Sequence, residues 1–284
     1  MIFQDIIDNR EDGHSVDEQA KLVMLKLLRI LDAICNEYNL QYWLSSGTLL
    51  GCIRHKGFIP WDDDIDVEMP RYDYEKFIAI AQNILPEDVF LQTRDTDKNY
   101  PLFFAKLRDK YSTYEEENII NINCHKGIFI DIFPVDYTNH PKLQRVFKVL
   151  THGTCYSKLK PYEVFIQNIF GRYIKSFISR TSFPLYTILN RLLTTEYIKA
   201  KYVSYGMEFH EIKYFPKDLF FPLKKGVFEG YMFNIPNKSN ATLELLYGEY
   251  MKLPPIEDRI PHNIGVFPFK PCNHNQTLIW KKKK

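Results

Sequence analysis

Residues 61–69, Trp-Asp-Asp-Asp-Ile-Asp-Val-Glu-Met, place acidic and apolar side chains in strict alternation from Asp64 onward. A period of two is the period of a β-strand. Asp64, Asp66 and Glu68 therefore share one face of a predicted strand, while Ile65 and Val67 take the other. The preceding Gly47–Arg54 run predicts a tight Gly47-Thr48 turn opening a helix, fed by a short apolar strand within Leu40–Leu44.

Carboxylates at i and i+2 on one strand face can bind a single hard divalent cation through oxygen. Like charges this close repel, and the flanking Trp61, Ile65 and Val67 strengthen the repulsion by lowering the local dielectric. Asp64 and Asp66 are thus the expected ligands of Mg²⁺ or Mn²⁺. Asp62 and Asp63 are left as outer groups or plain turn residues. Because Mg²⁺ keeps waters and is usually shared with substrate phosphates, the pair implies a phosphorylated ligand. Gly47 and Thr48, at a helix N-terminus, are the expected phosphate cradle. Asp131, inside the apolar run Gly127–Val135, is the expected third acid of a phosphoryl-transfer site, and Arg54 a phosphate contact. Lys106, in the apolar run Leu102–Asp109, needs a phosphate or a site carboxylate as partner. An EF-hand fails because Val67 stands where its glycine is needed and Asp73 where its glutamate is needed. No P-loop and no zinc-type Cys/His spacing occurs.

The remaining pattern predicts an α+β protein, a mixed sheet flanked by helices. Ser15-Val16-Asp17-Glu18 reads as a capping box opening a helix over about 16–38. A second helix follows Pro70, and strands are expected at 89–94, 102–109 and 127–135. Three regions follow: a catalytic core over 1–140, a basic, aromatic and mainly helical segment over 141–225, and strands with a helix over 226–284 that complete the core and end in a Lys tail. The overall charge of +2 gives no reason to expect a nucleic-acid partner. It hides segregation, since Lys142–Lys201 holds eleven Lys or Arg against Glu163 and Glu196. That segment suggests an anionic membrane surface or a glycan as contact. Five widely spaced cysteines suit reduced thiols. The first residues lack a signal-peptide pattern, so a cytoplasmic, at most peripheral, location is expected.

The block Gly47–Phe77, with Phe103–Asp109, Gly127–Asp136, Phe228–Pro236 and Leu246–Pro255 in the same order, closely resembles the LicD family, relatives of the fukutin-type transferases. The resemblance covers most of residues 40–136 and 226–262. It implies a nucleotidyltransferase-type fold with Gly47 and Thr48, Asp64 and Asp66, and Asp131 at the motif positions. It also implies transfer of a phosphorylated alcohol, typically phosphocholine from CDP-choline, to a sugar hydroxyl of a glycan or lipid-linked glycan acceptor, with release of CMP. Ribitol- and glycerol-phosphate transfer are the alternatives, and a non-catalytic glycan- or membrane-binding relative is a second.

Overall fold

The computed structural model describes residues 2–116, 119–152, 188, 191–206, 208, 213–259, 263–272 and 274. It divides into two compact units, Met1–Pro134 with Leu219–Lys284, and Val135–Asp218.

The first unit begins with α1 (Val16–Glu37). Ser15 Oγ accepts the Glu18 N–H at 3.2 Å, while the Glu18 carboxylate reaches past Ser15 to the His14 N–H at 2.8 Å. The capping box thus closes one residue early. Val23, Leu27, Leu28, Leu31 and Ile34 are fully buried along one helix face. Burying each such side chain favours the fold by about 1.5–3 kcal/mol. The helix stops at Asn39, whose φ of 53° suits the short polar residue that best tolerates it. The Leu40 N–H then reaches back to Cys35 O at 2.8 Å.

Next come β1 (Trp43–Leu44), α2 (Ser46–Arg54), β2 (Asp66–Pro70), α3 (Arg71–Ile84), β3 (Val89–Gln92), β4 (Ala105–Asp109), β5 (Thr113–Glu116) and β6 (Phe129–Thr138). The sheet order is β1-β2-β6-β4-β3. The expected α+β class holds. Several boundaries differ from expectation: the strands expected at 89–94, 102–109 and 127–135 span Val89–Gln92, Ala105–Asp109 and Phe129–Thr138, and the acidic strand begins at Asp66, with Asp64 just before it. The strand before the helix shrinks to Trp43–Leu44, and the helix starts at Ser46, so Gly47 and Thr48 lie in its first turn. The turn itself falls at Ser45–Ser46, where Ser46 has φ 46°. β5 went unpredicted because Thr113–Glu116 carries no alternation of apolar and polar residues.

Arg10 and Lys26 lock the N-terminal segment to this sheet. Arg10 forks onto both Asp109 oxygens at 2.6 and 3.1 Å, and Lys26 pairs with Asp8 and Asp88. The oxygens of Asp8, Asp88 and Asp109 lie within 4.8 Å of one another. Arg10 and Lys26 between them already pair with all three carboxylates, which makes it a structural ion network.

The second unit takes the last four residues of β6, followed by α4 (Pro141–His152), β7 (Tyr202–Tyr205) and β8 (Tyr214–Pro216). β6 pairs β7 and β7 pairs β8, all antiparallel. Most of the basic aromatic stretch, including Lys158, Lys160, Arg172, Lys175 and Arg180, lies outside the described residues, as do Lys281–Lys284. No helix among the described residues is long and apolar enough to cross a membrane.

Back in the first unit, β9 (Lys224–Phe228) and β10 (Tyr231–Ile235) form the expected hairpin. α5 (Ser239–Tyr247) follows, and β11 (Asn263–Phe267) pairs with β5. α2 packs against both α5 and β9. The C-terminal elements therefore brace the helix that carries Gly47 and Thr48.

Candidate active site

The site is built where β2 lies beside β6 in the first unit. The Asp131 N–H donates to Ile65 O at 2.8 Å, which fixes the Asp64–Asp66 segment against β6. The segment before α2 grips β2 from the other edge. The Ser45 N–H donates to Asp66 O at 3.0 Å, and the Asp66 N–H donates to Thr48 Oγ1 at 2.8 Å. Ser45 Oγ and Trp43 Nε1 both donate to the buried Glu68 carboxylate, the latter at 2.8 Å. Glu68, on the same strand face as Asp66, is thereby consumed in structure. Burial lifts its carboxyl to about 7 even so, against the pull of Ser45 and Trp43.

Thr48 therefore acts as a holder of Asp66. Replacing it with Val removes the acceptor and strands a backbone N–H, a loss of about 1–3 kcal/mol. The Thr48→Val protein is expected to melt lower and turn over more slowly than wild type, as read by thermal denaturation and steady-state rates. Gly47 has a steric role: a β-carbon there would sit 2.6 Å from Asp62 Oδ2. Any larger residue there would have to push the Asp62 carboxylate aside.

The four aspartates separate by surroundings. Asp63 is buried, and the Tyr114 hydroxyl holds it through both its carbonyl at 3.0 Å and its Oδ2 at 2.8 Å. Asp62 stands beside the α2 N-terminus; burial and then Asp63 lift its carboxyl to about 6, opposed by Lys21 and Arg54. Asp64 and Asp66 remain partly exposed. Asp66 is pushed well above the carboxylate range by burial first, then by Asp64, Asp131 and Asp62. Asp131, 8% exposed, reaches about 7, driven by burial, with Lys106 opposing and Glu116 and Asp64 adding. The structure thus gathers the three predicted acids, with Asp62, into one electrostatic cluster.

Lys106 meets two carboxylates. It lies opposite Asp131 in the β4–β6 register, and its ammonium is 3.0 Å from Asp131 Oδ1 and 3.1 Å from Glu116 Oε1. It also stands 3.3 Å from the Phe129 ring centroid. Arg108, two residues along the same strand face, pairs with Glu116 at 3.0 Å, donates to Gly127 O at 2.7 Å and bonds Gln92. Burial pushes the Glu116 carboxyl up, but Lys106 and Arg108 outweigh it and hold it below its usual range. Sequence reasoning missed Glu116 and Arg108. The available signal was two cations at i and i+2 within one buried strand, which call for a shared acid. Arg54, the last residue of α2, donates from Nη1 to Tyr250 O at 2.6 Å.

Comparison with known proteins adds three findings. Residues 39–165 match the model of the LicD/FKTN/FKRP nucleotidyltransferase domain. Over 268 residues, 87% of this chain and 95% of the relative, the sequence is 32% identical to the lipopolysaccharide cholinephosphotransferase LicD of Haemophilus influenzae. A shorter match, 35% identical over 81 residues, covers 28% of this chain and 17% of the mouse ribitol-5-phosphate transferase FKTN.

Proposed function

The chain belongs to the LicD/FKTN/FKRP family and is a transferase, and from that premise we propose that it moves phosphocholine from CDP-choline to a sugar hydroxyl of lipopolysaccharide or a related surface glycan, releasing CMP. The observation that carries this reading is the cluster of Asp62, Asp64, Asp66 and Asp131, in which burial and then the neighbouring acids push Asp66 well up. The relative's name supplies choline and lipopolysaccharide.

The cluster fits a divalent cation on its own chemistry. Its donors are all carboxylate oxygens, Asp64 and Asp66, partly exposed like Asp62, sit at i and i+2, and Lys106 relieves only part of the repulsion. Asp64 and Asp66 would hold Mg²⁺ or Mn²⁺, which supplies charge neutralisation on the donor's diphosphate. The N–H groups of the first turn of α2 would receive a phosphate oxygen, and Thr48 keeps Asp66 in place. The acceptor oxygen forms a bond to the choline-bearing phosphorus as the bond from that phosphorus to the bridging oxygen breaks, and CMP leaves. Asp131 either completes the cation site or receives the hydroxyl proton. An Asp131→Asn protein that still gains thermal stability from Mg²⁺ marks the proton role.

A donor panel tests the reading. CDP-choline, CDP-ribitol and CDP-glycerol are each incubated with Mg²⁺ and lipopolysaccharide acceptor, and CMP release is measured. CDP-choline is expected to give the fastest release. Faster release from CDP-ribitol would transfer the assignment to the activity named for the mouse relative, and no release from any donor would refute phosphotransfer.

A further inference from the structure

The segment after α5 and the loop that opens the acidic run meet on Trp61, a partly exposed indole. The Arg259 guanidinium lies 4.8 Å from its ring centroid and that of Arg54 6.0 Å. His55 meets the ring edge-on at 6.4 Å. Each arginine is fixed by backbone carbonyls of one short stretch: Arg54 by Tyr250 O, and Arg259 by Pro254 O through Nε at 3.0 Å and Nη2 at 2.9 Å. A guanidinium carries five N–H donors. Among the described residues, Arg54 Nη2 and Arg259 Nη1 make no hydrogen bond.

Two permanently charged groups held at one aromatic ring repel each other. Burial and then Arg259 hold Arg54 below its usual range, with Asp62 alone opposing. Two guanidinium groups thus meet on the residue that directly precedes Asp62. A phosphate approaching Asp62–Asp66 is repelled, and this pair is placed to offset that repulsion with bidentate geometry.

We infer that Arg54, Arg259 and Trp61 form an anion subsite that takes a phosphate group of a phosphorylated substrate. The inference rests on the phosphotransferase reading and adds Arg259 and Trp61 to its binding surface. The shared chemistry belongs either to the phosphate of the nucleotide or to a phosphorylated sugar of the acceptor.

The test follows the part of the tryptophan fluorescence that Trp61→Phe abolishes, during titration with CMP, glucose 6-phosphate or phosphate-free cytidine, with and without Mg²⁺. CMP or glucose 6-phosphate is expected to bind about tenfold more weakly to Arg259→Gln, the loss of one charged hydrogen-bond donor. Arg259→Lys, which keeps the charge and loses the fork, falls between, and it carries the test alone if Arg259→Gln does not fold. A response confined to CMP assigns the subsite to the donor, and one confined to glucose 6-phosphate assigns it to the acceptor. Unchanged affinity for both in the Arg259 variants, or cytidine binding as tightly as CMP, overturns the proposal. Failure of the donor panel with this binding intact would strike the proposed reaction and leave the subsite standing.

Discussion

An Asp66→Asn protein is expected to lose turnover by at least about a hundredfold, because even groups that only support metal ligands command effects of that size. The same change is expected to raise the melting temperature measured without metal. Asp66 is driven well above the carboxylate range by burial and by Asp64, Asp131 and Asp62, so an isosteric neutral amide removes repulsion that the folded state bears and the unfolded chain does not. Mg²⁺ should stabilise wild type by mass action and leave Asp66→Asn unmoved. Thermal melts with and without Mg²⁺, set beside CMP release, read all three effects. A variant that is less stable than wild type and still responds to Mg²⁺ would show that Asp66 serves the fold and leave the cation without its proposed ligand.

Lys106→Met should act in the opposite sense on stability. Its ammonium is 1% exposed and sits between Asp131 and Glu116. Removing one partner of a buried ion pair leaves an uncompensated charge and costs about 3–5 kcal/mol. The melting temperature should fall by on the order of 10 °C. Adding Asp131→Asn to Lys106→Met is expected to recover part of that loss, since the second change removes the charge the first one stranded. Chemical denaturation of the four proteins in this cycle gives the coupling directly, and additive losses would show that Lys106 contributes packing alone. A phosphate-binding Lys106 would predict a different outcome, with lost substrate affinity and an unchanged melt.

These variants also mark where the sequence was legible. The alternation over Asp64–Met69 announced a strand that forms over Asp66–Pro70, because alternation is a local property, and α1 announced itself through Ser15 and the spacing of its buried leucines. Lys106 was visible as a cation that an apolar strand cannot hold alone. Its second partner was not visible. Glu116 sits on β5, a strand with no pattern of its own that pairs with β11, and only the fold brings its carboxylate within 3.1 Å of Lys106. The role of Thr48 was hidden for the same reason: its hydroxyl reaches Asp66, 18 residues on, and no spacing rule encodes that bond.

By itself, the sequence determined most elements of the first unit and the candidate acids, though not β5, because helix and strand periods and the repulsion of adjacent carboxylates act over a few residues. It did not determine how the acids divide. Asp63 is anchored by Tyr114, Glu68 by Ser45 and Trp43, and Asp131 is steadied by Lys106, whereas Asp64 and Asp66 stay within reach of a ligand. Tertiary structure made that division, since burial, field and hydrogen-bond supply at a carboxylate depend on residues distant along the chain that only folding places beside it.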